Sequence, residues 1–194
     1  SGAARSFLSD WRYWLIVLAF MCSSSVFWGT IGWLPNYLRI ARGFSFAELG
    51  FLVSLPYILG AITVVVFGAI ADRFTHRAIF PTIALFGAAV CVFLGATVTS
   101  NLGSALILSL SMGFIGVGLS SYWAMMQNIV SHDSVGMAAG VMNGVSQILS
   151  AFVPTIVGAM IAFTGGNYSA GLMFLVGAGL LGGICMAVCT VKKV

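Results

Sequence analysis

Six uncharged stretches dominate the chain, at 13–38, 49–71, 78–98, 103–130, 135–163 and 168–191. Each is long enough for a helix to cross a bilayer, which takes about 20 mostly apolar residues. The breaks between them read RIARGFSFAE, DRFTHR, TSNLGS, SHDS and TGGNYS. The first, second and fourth carry charge, while the third and fifth are short polar or glycine-rich turns. No segment shows the alternating polarity of a membrane β-barrel strand. The pattern predicts an all-α membrane protein of six transmembrane helices. Residues 1–10 then form an N-terminal tail or linker, 11–191 the helical bundle and 192–194 the C-terminal end.

Polar residues are unevenly shared among the spans. The first holds CSSSVFWGTIGWLPNY, the fourth LSLSMGFIGVGLSSYWAMMQN and the fifth VMNGVSQILSAFVP. By contrast, IALFGAAVCVFLGA in the third and AGLMFLVGAGLLGGICMAV in the sixth have no strongly polar side chain. Spans one, four and five are therefore expected to face protein or water, and three and six lipid. In the fifth, Asn143, Ser146, Gln147, Ser150 and Pro154 share one helix face. Beside it, Gly136, Gly140 and Gly144 form a small-residue ridge suited to close helix contact. Gln147 and Ser150 fit two roles equally, helix packing or cavity lining. Pro35 in WLPNYL and Pro56 with Tyr57 are expected to interrupt their spans.

Composition agrees with this reading. A soluble domain carries about 25% charged residues, whereas this 194-residue chain has 6%, against 60% hydrophobic. Arg5, Arg12, Arg73, Arg77, Lys192 and Lys193 fall on the side shared by both termini, and only Arg39 and Arg42 on the other. That bias places both termini in the cytoplasm, so the net charge of +4 is a topology signal and not a nucleic-acid surface. The cysteines, Cys22, Cys91, Cys185 and Cys189, lie within spans as small apolar fillers, and no metal or cofactor pattern is present. The chain opens on Ser1, as a processed product or part of a longer chain would, and its first apolar run is too long for a signal peptide.

Trp123 and Asn143 stand ten residues before and after Asp133, on the two arms of a helical hairpin. Ten residues of helix rise about 15 Å, half of a hydrocarbon core about 30 Å thick. An indole N–H and a carboxamide at that depth need partners or water, which predicts a mid-membrane polar site. Ser23 reaches similar depth in the first span. Within GAIADRFTHR, Asp72 meets the negative end of its own helix. It is expected to answer to Arg73, to Arg77 or to the start of the fifth span.

The spacing G-x-x-x-D-R-x-x-x-R, on Gly68, Asp72, Arg73 and Arg77, resembles the signature loop of the major facilitator superfamily. Thr75 and His76 stand where that loop commonly has Gly and a basic residue, as in its degenerate second copy. The whole chain resembles helices 7–12, the C-terminal half of a major facilitator fold. GWLPNYL, SLPYILGAI and AAGVMNGVSQILSAFVPTIVGAMIAFTGGNYSAG are similar to the anion:cation symporter branch, which includes sugar-acid transporters. The resemblance implies a secondary active transporter of the inner (plasma) membrane. It would carry a small organic anion such as a sugar acid, with protons, by alternating access. It implies that Trp123 and Asn143 touch the anion, with Ser120, Gln147 and Ser23 at neighbouring positions. Gly68, Asp72, Arg73 and Arg77 would form the conformational gate.

A proton-coupled carrier needs a titratable group in its membrane path, and the spans hold no acid, Lys or Arg at depth. The partner expected to supply those charges is the N-terminal six-helix half, since such carriers place their site between two halves. An enzyme is not expected. GLSSY would need a histidine at similar depth, and His76 and His132 lie in turns. A drug or metabolite exporter or uniporter is the alternative, and a structural membrane subunit a remote one.

Overall fold

The computed structural model describes residues 3–192; the side chain of Arg5, and Lys193, both counted above for orientation, lie outside the described residues. A 3-10 turn (Ala3–Ser9) leads into α1 (Trp11–Asn36), which widens into a π turn (Tyr37–Ala41). Then follow α2 (Phe46–Ala71), α3 (Ile79–Thr97), α4 (Asn101–Ile129), a 3-10 turn (His132–Ser134), α5 (Val135–Ala151), α6 (Val153–Phe163) and α7 (Tyr168–Val191). α5 and α6 are two pieces of one span, so six units are long and apolar enough to cross a membrane. This is a multi-pass membrane protein, and an even number of crossings returns the chain to its starting face.

Among the described residues, polar residues cap four of the helices, whereas neither the turn before α3 nor the one before α5 supplies a side-chain cap. Asp10 accepts from the Arg12 backbone N–H and pairs with its guanidinium at 2.7 Å. That guanidinium holds the Asp10 carboxyl below its ordinary range, so the cap weakens only as pH falls through the lowered value. Ser45 and Glu48 form a capping box on α2, and Ser100 and Asn167 cap α4 and α7. At the other end of α3, Arg42 donates to the carbonyls of Gly95 and Val98, where the helix dipole favours a cation.

Prolines act differently from one another. Pro35 deprives the Ile31 carbonyl of its donor just before the π turn. α2 runs unbroken through Pro56, contrary to the interruption expected there. The discontinuity falls instead at Phe152, next to Pro154. There the Trp33 indole donates to the Pro154 carbonyl at 2.7 Å, bracing the upper piece against α1.

α4 packs on α2 and α3, α7 on α3 and α1, and α1 on α5. The core between them holds Tyr13, Ile16, Leu85, Leu108, Met112, Met142, Leu175 and Met186, all fully buried. The exposed large side chains of α3 and α7 are apolar, Val90, Phe93, Leu181 and Ile184 among them, as acyl chains require. α2 is the least covered span, with 17% of its apolar window buried against 61% for α4. The ridge of Gly136, Gly140 and Gly144 does not make the close helix contact expected of it. A Cβ at any of the three would meet nothing within 4 Å among the described residues.

Close approach matters where α4 crosses α3, because a Cβ on Gly118 would lie 2.8 Å from the Pro81 Cα, a backbone atom that cannot swing aside. Gly118→Ala should therefore destabilise by about 1–3 kcal/mol. Gly177→Ala, a mid-helix change with open space beside it, should be neutral or stabilising. Equilibrium unfolding in bicelles checks the pair, and equal effects would contradict this packing.

Candidate functional site

α1 and the fifth span are tied together by polar contacts along much of their length. The buried Tyr13 hydroxyl donates to the Ala138 carbonyl at 2.7 Å. Ser146 and Ser150 reach across to the Val17 and Met21 carbonyls at 3.4 and 3.3 Å, and Ser150 also meets Ser25 at 3.3 Å. Of the two roles open to Ser150, the structure gives it packing. Gln147, from the same face, turns the other way and accepts from the Trp28 indole N–H at 2.8 Å.

That indole–carboxamide pair borders a cavity of about 350 Å³ walled by α1, α2, α4 and α5. α1 contributes Phe20, Ser23, Ser24, Phe27 and Trp28, and α5 contributes Gln147. Pro56, Gly60 and Val64 of α2 face Met112, Gly116 and Leu119 of α4 across it. The spacings of three and four residues put each set on one helix face. A Cβ on Gly116 would strike Thr63 and come within 2.7 Å of the Gly60 carbonyl oxygen, so α2 and α4 touch backbone to backbone here. Depth follows from helix counts. Gln147 is fifteen residues from His132 and sixteen from Phe163, the ends of its span, and Ile115 is fourteen from each end of α4. The cavity sits at the middle of the bundle.

Of the five residues expected to meet a ligand, Ser23 and Gln147 line this cavity and Trp123, Asn143 and Ser120 do not. Each of those three lies one helical turn toward the terminal face from a lining residue: Trp123 from Leu119, Asn143 from Gln147, Ser120 from Gly116. The bend at residues 130–134 uses up chain that the count from Asp133 had assigned to helix. Trp123 is six residues from the end of α4, a rise of about 9 Å, and Asn143 eight from the start of α5, about 12 Å. Trp123 is half-buried with its ring 5.5 Å from Phe20, Asn143 is exposed, and no hydrogen bond joins them. Ser120 is half-buried, its hydroxyl without a partner, facing Gly68 of α2. These residues form a lip below the cavity.

Trp28 was missed, although the argument that singled out Trp123 applies to any mid-span indole. Its signal was the run Phe20, Ser24, Trp28 at intervals of four, ending opposite the Gln147 face. At the turn after α2, Asp72 pairs with Arg77 at 3.2 Å, one of the partners expected for it. Asp72 and Arg73 are exposed, and Gly68 lies against Ser120. None of the cavity-lining residues is charged. The site can offer neutral hydrogen bonds and aromatic surface, and it can hold an anion only with a counter-charge from elsewhere.

Comparison with known proteins adds a family. The model described as Major Facilitator Superfamily matches residues 2–154. A "Hexuronate transporter" of Bacillus subtilis is 26% identical over 158 residues, 76% of this chain and 37% of that protein. A "Probable sulfoacetate transporter" of Cupriavidus necator is 30% identical over 180 residues, 88% and 41%. A "D-galactonate transporter" of Escherichia coli O6:H1 is 23% identical over 168 residues, 83% and 38%. The chain thus spans about two fifths of the length of these curated relatives.

The two kinds of polar side chain should separate on mutation. Tyr13→Phe removes a buried interhelical bond and should cost about 1 kcal/mol in bicelle unfolding. Ser24→Ala, on the cavity wall and bonded to no other helix among the described residues, should change stability by less than about 0.5 kcal/mol. The reverse order would contradict the assignment of glue and lining.

Proposed function

Because the chain belongs to the major facilitator superfamily, we propose that it supplies six helices of a secondary active transporter for a small organic anion such as a sugar acid, moved with protons by alternating access. The observation that carries this reading is the mid-depth cavity. It gathers Ser23, Ser24, Trp28 and Gln147 at one level of an otherwise apolar bundle. Neutral polar groups that border an enclosed space at that depth can hydrogen-bond a polar solute there. The relatives' names point to carboxylate- or sulfonate-bearing substrates, and a hexuronate or galactonate also carries hydroxyls to match neutral side chains. In this reading the anion lies between cavity and lip, on Gln147 and Ser23 above and Trp123, Asn143 and Ser120 below.

The missing charges come from a second six-helix half of the same transporter. α2 and the fifth span, the two least covered spans, give it a place to dock. Gly68, Asp72, Arg73 and Arg77 act as the gate on the terminal face. The Asp72–Arg77 pair is exposed on its acidic side, so it exchanges partners at small cost as the halves rock. The bias of Lys and Arg supports a cytoplasmic position for that face, and the proposed site of action is the inner (plasma) membrane. A second reading, a carrier or exporter of an uncharged metabolite, has one observation in its favour: most cavity-lining side chains are apolar.

Uptake by the protein in its full encoded length, reconstituted in liposomes, separates the two. Labelled galacturonate, D-galactonate, D-glucarate and sulfoacetate are offered with and without an inward proton gradient. The proposal expects at least one acid to accumulate with the gradient and to stop when a protonophore collapses it. Accumulation of none would end the organic-anion reading, and gradient-independent equilibration would end proton symport. Asn143→Ala and Trp123→Ala should each lower uptake at least about tenfold with folding retained, the scale of one lost hydrogen bond or stacking contact to a buried ligand.

A further inference from the structure

Hydroxyls on these helices have a default. Ser25, Ser54, Thr63, Thr82, Ser109 and Thr190 all donate to the carbonyl four residues back. Ser23 makes no such bond, and it lines the cavity. Tyr122 of α4 stands behind it. The phenol is fully buried, its ring packs edge-on to Phe20 at 5.3 Å, and its hydroxyl has no hydrogen-bond partner among the described residues. Ser23 follows Phe20, the ring that Tyr122 packs against, by one helical turn on the same cavity-lining face of α1, which sets its hydroxyl beside the phenol.

We propose that Tyr122 is a positioning residue: its buried hydroxyl donates to Ser23 and so leaves the Ser23 proton free to point into the cavity, at an oxygen of the transported anion. The inference rests on the transport reading and names a residue that acts through Ser23 without touching substrate. Three physical points support it. A buried hydroxyl without a partner forfeits about 1–3 kcal/mol, so the bond is completed whenever Ser23 can turn to it. A phenol O–H is a stronger hydrogen-bond donor than an alkyl alcohol, which makes Tyr122 the donor and Ser23 the acceptor. A serine that accepts one bond still has its own proton to give, and two hydroxyls in series in a low dielectric strengthen each other. The effect is a directed neutral donor on a wall that has no Arg or Lys. Without Tyr122, Ser23 falls back on the carbonyl of its own helix and its oxygen faces the ligand as an acceptor, which an anion repels.

The test measures KM and Vmax for whichever of galacturonate, D-galactonate, D-glucarate and sulfoacetate the full-length protein transports. Tyr122→Phe should raise KM about five- to tenfold, one bond's worth, and leave Vmax within about twofold. Ser23→Ala should do the same, and the double variant should be no worse than Ser23→Ala alone. Ser23→Thr, which keeps the hydroxyl, should restore a low KM. Replacing Tyr122 with 3-fluorotyrosine keeps the ring and makes the phenol a stronger donor, so KM should fall; this arm stands even if the phenylalanine variant does not fold. An unchanged KM in Tyr122→Phe, losses that multiply in the double variant, or a fluorotyrosine protein with wild-type KM would each overturn the inference while transport stands. A wild-type protein that moves none of the four acids would remove the transport reading first, and this inference with it.

Discussion

A hydroxyl, amide or indole inside a bilayer must find its partner on its own helix, on a neighbouring helix or in enclosed water, because the acyl chains offer none. That constraint organises the polar side chains of this protein. One set turns back onto the parent helix and is electrically silent, as Ser54 and Thr63 do. A second set crosses between helices and fixes their register. Tyr13 on Ala138, Ser150 on Met21 and Trp33 on Pro154 align α1 with the fifth span, and Ser104 and Tyr37 hold the Gly95 carbonyl at the opposite face. A third set borders enclosed space, and it includes Trp28, which also reaches across to Gln147. Ser23, Ser24 and the Trp28–Gln147 pair border the same mid-depth cavity.

The register set explains why the third set can exist. α1 and α5 run side by side in the same direction, so each interhelical bond pins the next pair one turn on. Gln147 lies between Ser146 and Ser150, both committed to α1, and is left facing outward from that contact. α2 and α4 meet backbone to backbone at Gly60 and Gly116, and the lack of side chains there leaves the opposite wall recessed. The cavity is the space between a side-chain-rich wall and one thinned by glycines. The described charges all sit in turns or within the first residues of a helix. The centre is therefore polar without being charged, which is half of what an anion site needs.

Much of the fold was legible because bilayer thickness converts directly into run length. All six spans were located to within a few residues, and the first charged break turned out to cap α2. Three things were not legible. Depth counted from Asp133 overran because the bend between α4 and α5 is not helical, which placed Trp123 and Asn143 too deep. The role of α2 was faint because its share of the cavity is made mostly by Pro56, Gly60, Ala61 and Val64, with Tyr57 the one side chain that carries a polar group. The direction in which Gln147 and Ser150 point depends on the crossing of α1 and α5, a tertiary fact that a single helix's face pattern does not contain.

On the transport reading, the inner faces of α1 and α2 border water at mid-depth while the outer faces of α3 and α7 border lipid. Thiol accessibility tests it most directly. In a cysteine-free background, single cysteines are placed at Ser24 and Gly60 on the inner wall and at Val90 and Ile184 on the outer faces, then exposed to a charged methanethiosulfonate. The account predicts modification at Ser24 and Gly60, slowed by the transported acid, and none at Val90 and Ile184. Inert inner positions, or inner and outer positions that react alike, would contradict it.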